Sequence, residues 1–279
     1  MDGFFYSYVR HANQSSMTTQ ENPLERALRA AADDPSSRPD FYQLLVNSEV
    51  FVISGTSHEV HSVRTVQAGE QISIQNWQRA DGSPVIPFFT SLEALQRALT
   101  EPSNYMCLPA RSLFEITKGA TLFLNPKLDY GKEFFPNEIE ALLVDGVTRL
   151  PETRVTQKAT KVLLGQPKER PTVMIDALTS FFAKRSQVVA AYLLLMHDTS
   201  LDQQPHLVVG IRAEGEFETL LREAGVVAAD TAPKGEPVDL YRVVPTDKGL
   251  SVYFLESVEP FYTRNFGTKL RGLFGAGRA

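Results

Sequence analysis

The chain has 279 residues, 43% hydrophobic and 22% charged, with a net charge of -5 and a single cysteine. That is globular composition with enough apolar mass for two domains at about 100–200 residues each. The acidic balance excludes a general nucleic-acid binder, which needs a basic face for phosphates. One cysteine excludes an intramolecular disulfide and suits a cytoplasmic protein, and no apolar run approaches the ~20 residues that span a bilayer.

In chain order, MDGFFYSYVRHANQSSMTTQ lacks a basic flank before an unbroken apolar stretch, so it does not read as a signal peptide. Residues 1–16, ahead of Met17, read as an upstream extension, and residues 1–21 are expected to be flexible unless they dock as an arm. Asn22-Pro23 places an N-cap and a first-turn proline ahead of LERALRAA, a helix that stops near Asp33-Asp34-Pro35. Arg38-Pro39-Asp40 restarts a helix through FYQLLVN. Alternation and β-branching predict strands at Val50–Ser54, Val60–Val66, Gln71–Arg79 and Val85–Phe89, with a turn at Asp81-Gly82.

Thr90 and Glu93 carry the T-x-x-E spacing of a capping box for a helix over 91–99. Tyr105–Leu108 is extended and apolar, and Pro109 opens the helical ARSLFEIT. Thr121–Leu124 is a strand closed by the turn signal Asn125-Pro126, and a loop through Lys132 leads to the helix PNEIEALL.

Apolar periodicity lapses from Gly146 to Ala159, which predicts a linker over 147–160 between domains at 22–146 and 161–264. The second half reads as strand Val162–Gly165, helix Thr172–Ala183, strands Val188–Met196 and His206–Ile211, helix Glu216–Ala224 stopped by Gly225, and strand Asp239–Val244. Leu250–Leu255 fits either helix or strand. The order β-α-β-β-α-β predicts an α+β protein whose second domain is ferredoxin-like.

Several stretches point to one family. The first half carries R-x-D-G-x-x-V-I-P-F-F-T-S-x-x-A-L, then L-F-L-N-P with Gly131 and the Pro136 helix. The second carries VLLGQP, a helix with Phe181 and Phe182, AAYLLLMHD, and the closing Val258-Glu259-Pro260-Phe261-Tyr262. Together, from Asn22 to Arg264, these resemble the SseB family, the "enhanced serine sensitivity" proteins of bacteria, with N-terminal and C-terminal domains in order. The resemblance implies a cytoplasmic two-domain protein. The family name records a serine-related phenotype rather than a reaction, so no catalytic residue is carried over.

Each chemistry-bearing residue also has a structural reading. His58-Glu59-Val60-His61 is one residue too short for H-E-x-x-H, and two solvated loop histidines explain it. Cys107, within YMCLP, has no C-x-x-C partner and is expected to be a buried core thiol. His197-Asp198 has proton-transfer chemistry but no nucleophile assigned to it. Gly165 stands alone, without a Walker or Rossmann pattern, and no cofactor or metal is expected.

Asn125, Pro126, Tyr130 and Lys132 follow a strand, where α/β folds often place ligands; the structural alternative is a turn in which Asn125 caps backbone groups. Trp77 and Phe88 are candidate partner-binding aromatics. The tail 265–279 is basic, and Phe266, Leu270, Leu273 and Phe274 fall on one helical face. A non-catalytic binding or regulatory protein follows, whose partner is another protein or a second copy, with any small-molecule ligand unassigned. The rivals are an enzyme of sulfur or amino-acid metabolism using Cys107 or His197, and an immunity or adaptor module that binds another protein.

Overall fold

A computed structural model describes residues 5–7, 21–55, 73–145, 162–198, 204–233 and 237–264. The chain folds as two compact units, residues 1–148 and 149–279, each α+β with its own sheet. The stretch expected as the linker, the histidines at 58 and 61, the strand expected at 60–66 and the basic tail all lie outside the described residues.

In the first unit the elements run β1 (Phe5–Ser7), α1 (Pro23–Asp33), a 3-10 turn (Pro35–Ser37), α2 (Arg38–Val46), β2 (Glu49–Ile53), β3 (Trp77–Gln78) and β4 (Pro84–Phe89). They continue with α3 (Leu92–Ala98), β5 (Tyr105–Pro109), α4 (Ala110–Ile116), β6 (Leu122–Leu124), β7 (Tyr130–Phe134) and α5 (Pro136–Asp145). The sheet order is β1-β7-β6-β4-β2-β5, with β3 paired to β4. The β4–β6 pair is parallel and its neighbours antiparallel.

Side chains alternate across this sheet. Phe88 turns to a face where it meets Phe114 of α4 and Phe134 of β7, with Tyr42 of α2 beyond. Ile53 and Phe89 turn to the other face and pack with Ala94, Leu95 and Ala98 of α3 and with Leu128.

Three expectations are corrected in this unit. Within the extension, Phe5–Ser7 forms a strand antiparallel to β7. The segment after Asn125-Pro126 is not loop throughout, because Tyr130–Phe134 is itself a strand that pairs with β6. The helix over 92–98 is capped by Ser91, whose Oγ accepts from Ala94 N at 3.0 Å, rather than by Thr90. The reciprocal capping box of the unit is at α1: Asn22 Oδ1 accepts from Glu25 N, and Glu25 Oε2 accepts from Asn22 N.

In the second unit the elements are β8 (Val162–Gly165), α6 (Thr172–Ala183), β9 (Val188–Asp198), β10 (His206–Ala213), α7 (Glu218–Thr231), β11 (Val238–Arg242), α8 (Leu250–Ser257) and β12 (Tyr262–Thr263). The expected β-α-β-β-α-β order is present and continues into α8 and β12. In the pairing, the unit departs from a split βαβ. No strand separates the parallel pair β10 and β11, and β8 lies antiparallel to β9 instead of between them.

One sheet face is covered by α6 and α7 through Met174, Leu178, Phe181, Phe182, Leu220 and Val227. The other holds Tyr192, Leu194, Val208, Val243 and Phe254 of α8. α7 runs through Gly225 to Thr231 instead of stopping there. Gly225 is buried with Ala224 and Ala228 on its helix, so tight packing outweighs the ~1 kcal/mol that glycine costs a helix relative to alanine. Among the described residues, no helix is long and apolar enough to cross a membrane.

Candidate functional site

The residues read as a post-strand binding loop are largely occupied by the fold. Asn125 sits at φ 52°, a left-handed conformation that asparagine tolerates. Its side chain is buried, with Oδ1 accepting from Thr90 N at 3.0 Å and Nδ2 donating to Thr90 Oγ1 at 3.0 Å. Thr90 Oγ1 and Ser91 Oγ lie 3.1 and 2.7 Å from Glu25 Oε1, and Asn22 Nδ2 donates to the Thr90 carbonyl. One partly buried network thus ties the start of α1, the end of β4, the start of α3 and the turn after β6, and in it Asn125 caps the Thr90 N–H.

Lys132 is likewise internal. It is 1% exposed, its Nζ lies 2.9 Å from Glu138 Oε1, and it donates to the Glu133 carbonyl at 3.1 Å. Glu138 Oε2 accepts from Phe135 N. A charge this buried needs such partners, and it is not presented to an anion in solution. Pro126 is buried, Tyr130 is half-buried beneath Arg29, and Phe88 is a fully buried core residue and not a surface aromatic.

Trp77 is placed differently. It is half-buried at the edge of the α3 face, with its ring 6.3 Å from that of Phe89, and Lys127 Nζ sits 4.4 Å above it. The cluster it joins, with Phe51 and Leu99 half-buried beside it, supplies Leu95 to the wall of a cavity of about 370 Å³. Leu92, Leu99, Pro102 and Tyr105 also line this cavity; Tyr105 is 40% exposed and packs on Phe51. Gln96, Thr100, Glu101 and Ser103 are the polar residues of the cavity lining, and Lys127 covers the Trp77 ring. The face is an apolar strip with a polar rim. Tyr105 and this cavity were missed in the sequence because its lining, from Leu92 to Tyr105, spans α3, the connection after it and the start of β5, and only the fold curves that stretch round a hollow.

Cys107 is exposed, not buried, because β5 is an edge strand and the thiol falls on its open side. Partial burial along the strand, followed by the Glu49 carboxylate 3.8 Å away, pushes the thiol above its ordinary range. His197 lies in the β8–β9 ladder opposite Leu163. Among the described residues no group of three or more histidines, cysteines or acids could hold a metal ion.

In the second unit a cavity of about 220 Å³ is lined by Gln166, Pro167, Arg170, Ile175, Leu193, Glu259 and Phe261. None of these was singled out from the sequence as a site residue. The VLLGQP and Val258–Tyr262 stretches meet there.

These two units match two families of domain in order. The SseB protein N-terminal domain matches residues 24–141 and the SseB protein C-terminal domain residues 156–264. The chain belongs to the SseB family. It is 39% identical over 255 residues to Protein SseB of Escherichia coli (strain K12), covering 91% of this chain and 97% of that protein, and equally to Protein SseB of Shigella flexneri. No solved structure matches the chain.

Proposed function

We propose that this SseB-family protein is a non-catalytic binding protein of the bacterial cytoplasm that docks another protein on the α3 face of its N-terminal unit. The carrying observation is Trp77, held edge-on to Phe89 beneath the Lys127 cation, at one side of an apolar strip that runs through Leu99 to the partly exposed Tyr105. Aromatic anchors over an apolar floor with a charged rim are the composition of protein-docking surfaces. The raised Cys107 thiol favours this reading over an enzyme that uses it as a nucleophile. The serine phenotype in the family name then reflects the docked partner's activity.

The test is a photo-crosslinking residue in place of Gln96, exposed on the cavity wall, in the native host. A discrete adduct is expected that disappears in a folded Trp77→Ala/Tyr105→Ser variant. A crosslinker at exposed Glu140 of α5, whose helix packs with α2 and α4, should give none. The same adducts from both positions, or none from Gln96, would overturn the reading.

A further inference from the structure

We infer that the cavity of the second unit is a binding site for a free α-amino acid with an apolar side chain, held as its zwitterion. Three separate pieces of chain build it: the turn after β8 (Gln166, Pro167, Arg170), the first turn of α6 with β9 (Ile175, Leu193), and the segment before β12 (Glu259, Phe261). Its volume of about 220 Å³ lies below the ~300–1,000 Å³ of pockets for drug-sized ligands. The occupant is therefore small.

The charges specify its chemistry. Arg170 and Glu259 line the same cavity, yet they form no ion pair with each other or with any other described residue. Two arginines of the unit are ion-paired, Arg185 at 3.0 Å from Glu223 and Arg264 at 2.9 Å from Glu214. Arg170 shares its unpaired state among the described residues with Arg212, Arg222 and Arg242, but it alone of these lines the cavity. Opposite charges that border one small cavity without closing on each other match a ligand that carries both signs. The guanidinium offers a planar donor fork to a carboxylate, and Glu259 accepts from an ammonium. Gln166 adds an amide that can serve either end.

Between them, Pro167, Ile175, Leu193 and Phe261 form an apolar wall. It favours a hydrocarbon or thioether side chain over a hydroxyl, whose desolvation this wall would not offset. The site is separate from the Trp77 face, so its failure leaves the docking proposal standing, and the reverse holds as well.

The test is calorimetric titration of the full chain with L-leucine, L-methionine, L-serine, N-acetyl-L-leucine and L-leucinamide. Leucine or methionine is expected to bind with serine weaker, and blocking either charged end should weaken binding on the order of tenfold or more, the scale of one lost charge-assisted contact. Arg170→Met should lose the discrimination against leucinamide, and Glu259→Gln that against N-acetyl-leucine. Both positions are exposed, so both variants should keep the wild-type circular dichroism and melting temperature. The inference is overturned if none of the amino acids binds at millimolar concentration, if the blocked derivatives bind as well as leucine, or if binding survives both substitutions unchanged.

Discussion

The post-strand loop of the first unit and the cavity of the second use polar residues in opposite ways. In the first, Asn22, Glu25, Thr90, Ser91 and Asn125 satisfy one another, and Lys132 closes on Glu138 inside the core. In the second, Arg170 and Glu259 border a cavity with no ion-pair partner among the described residues. The difference teaches that residue type does not mark a site. An asparagine or lysine after a strand is as well suited to tying elements together as to holding a ligand, and what distinguishes the two is whether its hydrogen-bonding capacity is already used.

The sharpest way to break this comparison is at Lys132. Lys132→Met leaves Glu138 buried without its cation and should destabilise the first unit by about 3–5 kcal/mol. The double variant Lys132→Met/Glu138→Leu should recover most of that loss, since an apolar pair of similar volume needs no desolvation. Trp77 is the only tryptophan, so its emission during urea unfolding reports the first unit alone. A wild-type midpoint for the single variant would mean that the pair contributes nothing to the core.

The matching disturbance in the second unit is Gly210→Ala. A β-carbon there would lie 2.8 Å from the Phe254 ring and 2.9 Å from Val243. Phe254 has little room to yield, being fully buried with Tyr192 and Tyr241 rings 5.8 Å away. Overpacking of this kind costs about 1–3 kcal/mol. The far-ultraviolet transition of the second unit should fall while the Trp77 midpoint stays in place. If both move together, the units unfold as one and the contrast drawn between them fails.

A smaller effect is expected at Cys107. Only the thiolate is alkylated, and a raised thiol pKa leaves less of it at neutral pH, so Cys107 should react more slowly with iodoacetamide than a free cysteine. Glu49→Gln removes the nearby negative charge, lowers the thiol pKa and should speed the reaction a few-fold at neutral pH. The two rates should converge at high pH, where both thiols are ionised. A Cys107 that reacts faster than free cysteine would revive the enzyme reading.

Much of the fold was legible from local signals. Asn22-Pro23 opens α1 where expected, and the Asp81-Gly82 turn forms with Gly82 at φ 81° and Asp81 accepting from Ser83. The failures have local causes too. Thr90 and Ser91 are adjacent hydroxyls, either able to cap, and the choice falls to Ser91 because Asn125 claims Thr90 from 35 positions away.

The strand β7 was hidden because Lys132 and Glu133 look like solvent-facing residues. Lys132 is buried only because Glu138 lies across from it. Cys107 looked buried amid apolar neighbours, but nothing in YMCLP says that its strand lies at a sheet edge. The cavity of the second unit was illegible for a further reason: its walls come from residues as far apart as Gln166 and Phe261, and proximity of that kind is created only by folding.

The longest strand of the second unit, β9, has its outer edge divided. β8 covers Leu195–Asp198 and β12 covers Ala190–Ala191. The first and last described strands of the unit therefore lie along the same neighbour. On the ribosome, β9 is made long before residues 262–263, and the Ala190–Ala191 part of its edge stays bare until they emerge. An unpaired apolar edge is a template for aggregation, and contacts between distant parts of a chain form slowly. Any nascent chain that stalls before Phe261 presents that open edge to the cell, which makes the late segment a seal for the nascent domain as well as a wall of its cavity.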